Sequence, residues 1–150
     1  MLELALAAHP GFVASTLELE RSGPSYTYDT VRELLAARPG QGALHLILGG
    51  DNLPGLPGWR EAEALLGLVQ PIVHGRAGDG PDVVEQLAGQ LSPSAMEALR
   101  RGFLPAPHVG GRATYLRAAL GRGGGHCNLP SAVADYALRR GLYGPVGQLR

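Results

Sequence analysis

The sequence predicts an α/β fold built on a parallel sheet, and three observations support this. Residues 43–48, ALHLIL, are apolar on both faces except for His45, which is typical of a strand buried in a parallel sheet. Residues 71–74, PIVH, form a second short apolar run, and Trp59–Leu68 between the two runs can form a helix. Strand, helix and strand in this order indicate a right-handed crossover.

Three further elements are predicted before the first of these strands. The apolar residues 2–7 end at the breakers of residues 9–11, HPG, which predicts the tail of a helix. Residues 12–19 are rich in β-branched and apolar side chains, so we expect a short strand there. A helix then begins at 25–27 with apolar side chains at helical spacing, and it ends before Pro39.

After the second strand the sequence returns to helices. Residues 82–101 are helix-like around a break at Ser92 and Pro93, whereas the two prolines of residues 103–109 suit an edge strand. The patch GRGGG at 121–125 predicts a mobile loop inside one domain. Two helices finish the chain, and the last has Pro130 near its start.

Composition indicates one domain and excludes several partners. The chain has 150 residues, 45% of them hydrophobic, which is the size of a single domain with its own core. Its 13 basic residues, all arginine, balance 13 acidic ones, so no nucleic-acid or membrane partner is expected. The single Cys127 cannot form an internal disulfide, and the opening residues lack a signal pattern, which predicts a cytoplasmic protein. Composition leaves homo-oligomer formation open.

The end of the first predicted strand is a candidate ligand loop, because open α/β sheets bind ligands at the carboxyl ends of their strands. Gly49 and Gly50 would let a nucleotide approach the backbone closely, and Asp51 could accept hydrogen bonds from ribose hydroxyls. The alternative is a plain strand-to-helix turn in which Asp51 caps the helix.

A tryptophan and a helix start provide two further candidates. Trp59, in a loop, could offer a flat face to an aromatic ring, or it could anchor the following helix in the core. The helix start at 25–27 has free amides that favour a carboxylate or phosphate, although Ser25 or Thr27 could simply cap the helix.

The histidines and the cysteine do not predict a metal site. His126 and Cys127 are adjacent, but the sequence offers no further cysteine and no HxxxH pair to complete a zinc site. His45 and His74 lie on predicted buried strands, where a hydrogen-bonded neutral imidazole is the expected state.

Three blocks in this order resemble the bacterial nicotinate-mononucleotide adenylyltransferases. They are SYTYDTVREL at 25–34, LPGWREAEALL at 56–66 and LPSAVADYALRRGLY at 129–143. The first two match the family patterns SYTxDTxxxL and LPxWxxxxxLL. The resemblance implies a Rossmann-like nucleotidyltransferase fold with a doubly wound parallel sheet. It also implies transfer of AMP from ATP to nicotinate mononucleotide, which gives nicotinate adenine dinucleotide and pyrophosphate in NAD biosynthesis.

The resemblance also implies residue roles. Those for the mononucleotide are Ser25, Tyr26, Thr27, Trp59 and Arg76. Those for ATP, bound with Mg²⁺, are Gly49, Gly50, Asp51, Thr114 and Arg117. In the family the tryptophan stacks on the nicotinate ring and the aspartate contacts adenosine. Thr114 and Arg117 lie in GRATYLR where the family has ISSTxIR, so Arg112 and Ala113 replace two serines.

One part of the family pattern has no counterpart. The family opens with a glycine-rich first strand and an HxGH motif whose histidines act on the phosphates, and this sequence contains neither. We therefore expect an N-terminally truncated α/β domain that lacks the first strands of the family fold, is inactive alone and has no identifiable catalytic residue. The alternative function is an inactive remnant or paralogue that binds a nucleotide or a protein partner.

Overall fold

The structure, a computed structural model, describes residues 1–75, 80–105, 113–122 and 129–144. Leu17–Val109 form one unit, which we call the sheet unit, and Met1–Thr16 with Gly110–Arg150 form a second, which we call the helical unit. A single domain over residues 1–150 stays a prediction.

A parallel sheet of three strands is the centre of the sheet unit. The strands are β1 (His45–Gly49), β2 (Gln70–His74) and β3 (Phe103–Leu104). Their order is β1-β2-β3, and both pairs are parallel, with Gly49 opposite His74 and His74 opposite Leu104. The predicted parallel α/β sheet is confirmed. β3 lies at an edge of the described sheet, as predicted for residues 103–109, but it ends at Leu104, before the two prolines.

Helices of both units account for most of the remaining described residues. In chain order they are α1 (Leu2–Leu6), α2 (Leu17–Glu20), α3 (Thr27–Ala37), a 3₁₀ helix (Gly50–Gly58), α4 (Ala62–Leu68), α5 (Asp82–Glu85), α6 (Pro93–Arg101), α7 (Ala113–Gly121) and α8 (Ser131–Arg139). In the helical unit, α1 and α7 both pack against α8. No helix among the described residues is long and apolar enough to cross a membrane. Only the first residues of the GRGGG patch are described, so the predicted loop lies outside the described residues.

The strand predicted over residues 12–19 is wrong. Residues 12–16 are irregular, and α2 begins at Leu17. Val13 and Leu19 are 87% and 84% exposed, so these apolar side chains, which suggested a strand, do not pack on a sheet. β-Branched residues favour strands when they pack on a half-buried sheet, and no strand of the described structure pairs with this segment.

Two apolar clusters hold the sheet unit together. The larger joins the sheet to the 3₁₀ helix, α5 and α6, and comprises Leu48, Leu53, Leu56, Leu66, Val73, Val84, Leu87, Ala95, Met96 and Leu99. The smaller packs α3 against α4 and β1 through Val31, Leu65 and Val69. Leu46 and Trp59 contact both clusters. The helices α3 and α4 are therefore fixed to each other and to the sheet by apolar burial.

Burial of β1 on both faces is also wrong. Leu48 is buried, but Ile47, on the opposite face of the same strand, is 71% exposed. His45 and His74, which the sequence predicted to be buried, are both exposed. The described elements cover one face of β1 only, and an unbroken apolar run does not reveal that, because it is also the pattern of a fully buried strand.

A carboxylate of α4 helps to cap α6. Ser92 is the N-cap of α6, and its hydroxyl accepts a hydrogen bond from the Ala95 amide at 3.3 Å. The Glu63 carboxylate accepts from the Ser92 hydroxyl at 2.6 Å and from the Ser92 amide at 2.7 Å. These hydrogen bonds, the hydroxyl's first, lower the pKa of Glu63. The ionised carboxylate therefore stabilises the start of α6 and its contact with α4.

We expect the sheet unit to lose part of its stability in acid through Glu63. Because folding lowers the pKa of Glu63, its contribution is complete above the unfolded value of about 4.3. That contribution disappears as the pH falls through the lower folded value. Glu63→Gln should therefore lower the free energy of unfolding at pH 7 and have less effect at pH 3, as urea titrations followed by circular dichroism would measure. Glu97→Gln on α6 is the control, and an equal response from both variants would contradict the assignment.

Gly102 allows α6 to turn directly into β3. Its amide donates to the Ala98 carbonyl at 3.0 Å, and its carbonyl accepts from the Val73 amide at 2.8 Å. A Cβ at this position would overlap the carbonyl oxygen of Pro71 and lie 2.8 Å from its carbonyl carbon. Since both obstructing atoms belong to the backbone of β2, the strand would have to move to accept a side chain.

Gly102→Ala should lower the free energy of unfolding by about 1–3 kcal/mol, the usual cost of forcing a methyl group into a packed site. Gly67→Ala is the matched control, because Gly67 lies within α4 and a Cβ there would meet no atom within 4 Å. That control should raise stability by about 1 kcal/mol through helix propensity. Urea unfolding measures both, and a Gly102→Ala protein as stable as the wild type would refute the steric argument.

Candidate nucleotide-binding site

The carboxyl ends of the three strands meet at one edge of the sheet. Gly49 ends β1 and Gly50 begins the 3₁₀ helix, of which Gly49 is the N-cap. Asp51 therefore lies in the first turn of that helix, not at its cap. A Cβ on Gly49 would come 2.5 Å from an Asp51 carboxylate oxygen. The Asp51 side chain thus lies close to the backbone at the strand end, and glycine at position 49 leaves room for it.

Trp59 follows the 3₁₀ helix in an extended conformation, and its amide donates to the Leu56 carbonyl at 3.0 Å. The partly buried indole packs against both apolar clusters. This geometry supports the core-anchor alternative, while the exposed part of the ring remains open to a ligand. An anchored ring also meets the main requirement of a stacking platform, because little conformational freedom is lost when a second ring binds.

The start of α3 does not have the side-chain cap that the sequence allowed. Tyr26 is the N-cap residue, and its side chain makes no capping hydrogen bond. The Ser25 hydroxyl donates to the Glu18 carbonyl at 3.1 Å. Among the described residues no side-chain cap is found at the first-turn amides of α3, and such amides bind carboxylates or phosphates at helix starts.

Arg60 is a residue of this region that the sequence did not predict. Its guanidinium carbon lies 4.8 Å from the centroid of the Tyr26 ring, and its Nε lies 3.9 Å from the Asp29 carboxylate. Tyr26 and Asp29 belong to the start of α3, whereas Arg60 precedes α4. The starts of the two helices are thus neighbours. The only available sequence signal was a cation placed directly after the loop tryptophan.

Glu61 has a left-handed backbone, with φ 53° and ψ 42°, and is the N-cap of α4. This conformation costs a non-glycine residue roughly 1–2 kcal/mol. It lies between Trp59 and α4, and it explains why the helix predicted from residue 59 begins at Ala62. Backbone strain of this kind is concentrated at functional sites.

The structure brings some of the predicted site residues together. Ser25, Tyr26 and Thr27 lie at the start of α3, next to the loop of Trp59, and Gly49, Gly50 and Asp51 lie at the sheet edge of the same unit. Thr114 and Arg117 are exposed on α7 of the helical unit, one turn apart and so on one face of the helix. Arg76, Arg112, His126 and Cys127 lie outside the described residues. No group of three or more potential metal ligands occurs among the residues that are described.

Comparison with known proteins gives relatives of one kind. No protein-family model matches the chain. A probable nicotinate-nucleotide adenylyltransferase of Dehalococcoides mccartyi is 36% identical over 144 residues, which cover 95% of this chain and 69% of that protein. A probable nicotinate-nucleotide adenylyltransferase of Synechococcus sp. is 38% identical over 146 residues. The match covers 95% of this chain and 67% of that protein.

Among solved structures, the Plasmodium falciparum nicotinic acid mononucleotide adenylyltransferase complexed with APC superimposes with a TM-score of 0.57. The match covers 81% of this chain and 60% of that one, at 16% identity, and it shows the fold alone. The curated relatives and this fold define a nucleotidyltransferase of the Rossmann-like class. More particularly, the chain belongs to the nicotinate-nucleotide adenylyltransferase family, and it spans about two thirds of the length of its curated relatives.

The strain at Glu61 can be measured. Glu61→Gly should leave stability unchanged or raise it by up to about 1 kcal/mol, because glycine adopts the left-handed conformation without a steric cost. Glu61→Val should be about 1–2 kcal/mol less stable than the glycine variant. Ala64→Gly, within α4, is the control and should cost about 1 kcal/mol. Equal losses for Glu61→Gly and Ala64→Gly in urea unfolding would show that Glu61 is not strained.

Proposed function

We propose that the activity is the transfer of AMP from ATP to nicotinate mononucleotide, and that these 150 residues supply nucleotide-binding surfaces for it. One observation carries the proposal. The SYTxDT and LPxW blocks, distant in sequence, lie next to each other in the sheet unit, where the Arg60 guanidinium covers the Tyr26 ring at 4.8 Å. The named relatives, 36% and 38% identical over most of the chain, support the same reaction.

The reaction needs positioning and charge neutralisation. A phosphate oxygen of the mononucleotide forms a bond to the α-phosphorus of ATP, and the bond from that phosphorus to the bridging oxygen breaks as pyrophosphate leaves. No covalent enzyme intermediate is involved. The protein contributes by holding the two phosphates in line and by placing positive charge and hydrogen-bond donors around them.

The mononucleotide would bind at the starts of α3 and α4. The exposed part of the Trp59 indole would stack on the pyridine ring, and the first-turn amides of α3 around Thr27 would bind the ring's carboxylate. Ser25 and Tyr26 would shape the same pocket. Arg76 lies outside the described residues, and its role at the mononucleotide is the one that the family resemblance implies.

The adenosine part of ATP would bind at the sheet edge. Gly49 and Gly50 allow the adenosine to approach the backbone, and the Asp51 carboxylate would accept from its ribose hydroxyls. For the helical unit, the family resemblance implies phosphate contacts by Thr114 and Arg117, which lie on one face of α7. Magnesium would enter with ATP, bound to those phosphates. We place this reaction in the cytoplasm, because the single Cys127 cannot form an internal disulfide. We propose neither nucleic acid nor membrane as a partner, because 13 arginines balance 13 acidic residues.

A binding module without turnover is the second candidate. It is favoured by the sequence, which has Arg112 and Ala113 in place of two phosphate-binding serines of the family pattern. The two candidates differ in what they bind and in what they form. The enzyme must bind both substrates and form nicotinate adenine dinucleotide and pyrophosphate. An inactive remnant or paralogue would bind a nucleotide or a protein partner and form no dinucleotide, so titration of each substrate together with an assay for the dinucleotide separates the two.

Two substitutions should affect the two substrates in opposite ways. Trp59→Leu keeps apolar contact with the clusters but removes the stacking face, so mononucleotide affinity should fall by about 1–3 kcal/mol while ATP affinity is kept. Arg117→Ala should weaken ATP binding by about 1.5–3 kcal/mol and leave the mononucleotide unaffected. Isothermal titration calorimetry measures all four affinities.

Arg122→Ala is the control for Arg117→Ala, because both arginines are exposed in the helical unit and only Arg117 belongs to the proposed site. Thermal melting of each variant separates binding from folding. Equal losses of both ligands in a folded Trp59→Leu protein would mean that Trp59 is a core anchor only. An ATP affinity that responds to Arg122 and not to Arg117 would refute the assignment on α7.

A further inference from the structure

We propose that Arg60 is a positioning residue, which ties the loop of Trp59 to the start of α3 and so holds the mononucleotide pocket in its binding shape. The contact of Arg60 with the start of α3 is argued from geometry alone. The effect of that contact on a ligand rests on the proposed function.

Arg60 makes two contacts with the same short segment. The guanidinium covers the ring of Tyr26, the N-cap of α3, at 4.8 Å, and its Nε lies 3.9 Å from the carboxylate of Asp29 in the first turn. A cation over an aromatic face is attracted by the ring's negative quadrupole, and the carboxylate adds a weak ion pair. Both contacts join residues that are distant in sequence, so they fix one helix start against another.

Arg60 adds a polar contact to the apolar packing of the two helix starts. Val31, Leu65 and Val69 form the buried part of that packing, whereas Tyr28, in the first turn of α3, is only partly buried against them. Arg60 lies between Trp59, which packs on both clusters, and the strained Glu61. Holding Arg60 therefore limits the rotation of its neighbour Trp59 relative to the α3 amides.

Arg60 also compensates a negative charge at the proposed carboxylate site. Asp29 lies in the first turn of α3 and would repel an incoming nicotinate carboxylate. With Arg60 beside it, the local charge is closer to neutral, and the amides of the helix start can attract an anion. Loss of Arg60 should therefore weaken binding of nicotinate mononucleotide more than binding of nicotinamide mononucleotide, whose amide carries no charge.

A second pair in the same helix gives a matched control. The Arg32 guanidinium lies 5.7 Å from the centroid of the Tyr28 ring, and both residues belong to α3. This contact is also a cation–π interaction, but it lies within one helix and does not connect α3 to another helix or loop. Arg32→Met should therefore change neither the Trp59 loop nor the ligand, whereas Arg60→Met should change both.

Trp59 is the only tryptophan of the chain, so its fluorescence reports directly on this loop. In the unliganded protein, Arg60→Met should lower the time-resolved anisotropy of Trp59 and raise its quenching by acrylamide, and Arg60→Lys should restore part of the loss. With nicotinate mononucleotide as the probe, Arg60→Met should raise the Kd by about two- to fivefold, as expected for an exposed cation–π contact. The Kd for nicotinamide mononucleotide should change less.

The outcomes separate the tie from the proposed function. If the wild type binds nicotinate mononucleotide and Arg60→Met changes neither its Kd nor the anisotropy of Trp59, the positioning role is wrong and the proposed function stands. If the wild type does not bind the mononucleotide, the proposed function fails, and an unchanged anisotropy then overturns the tie as well. Equal effects of Arg60→Met and Arg32→Met would also overturn it. Should Arg60→Met not fold, Arg60→Lys and Asp29→Asn provide the same comparison.

Discussion

The indole of Trp59 packs against both apolar clusters of the sheet unit, and the geometry of the candidate site depends on that packing. One cluster carries the sheet with the 3₁₀ helix, and the other carries α3 against α4. A side chain shared by both sets the distance between the sheet edge, where Gly49 and Asp51 lie, and the start of α3. Anchoring and ligand stacking are therefore compatible roles, since a ring that is held by the core on one part of its surface presents the rest in a fixed orientation.

Ion pairs around this core lie at or near the surface of the sheet unit. The Arg100 guanidinium donates two hydrogen bonds to Glu85, at 2.7 and 2.8 Å, and Arg21 donates to Glu33 at 2.8 Å. Water screens ion pairs of this kind, so they stabilise the fold less than the burial of a single leucine. Burial of apolar side chains therefore determines the fold, and the ion pairs fix the orientation of elements that burial has already brought together.

The sequence predicted the regular elements well because their periodicity is local. The helix that became α3, the strands β1 and β2 and their parallel order all follow from spacing that a short window contains. The strand over residues 12–19 was wrong, since β-branched side chains favour a strand only when a neighbouring surface receives them. The contact of Arg60 with Tyr26 could not be predicted, because only the tertiary fold brings the starts of two helices together. The left-handed backbone of Glu61 could not be predicted either, because a glutamate in the sequence does not indicate a positive φ.

The exposed face of β1 has a consequence for how the protein behaves in solution. Within the described residues β1 pairs with β2 alone, and Ile47 presents its side chain to solvent on a strand that carries neither a lysine nor a proline. Within the described part of the chain, the other edge of β1 has unpaired backbone groups, and such an edge is a template for a strand from another molecule. Loss of material during storage should then follow the frequency of collisions between folded chains, and not the rate of unfolding. Dilution would preserve the protein better than cooling, since apolar attraction weakens only gradually with temperature, whereas encounters fall with the square of the concentration.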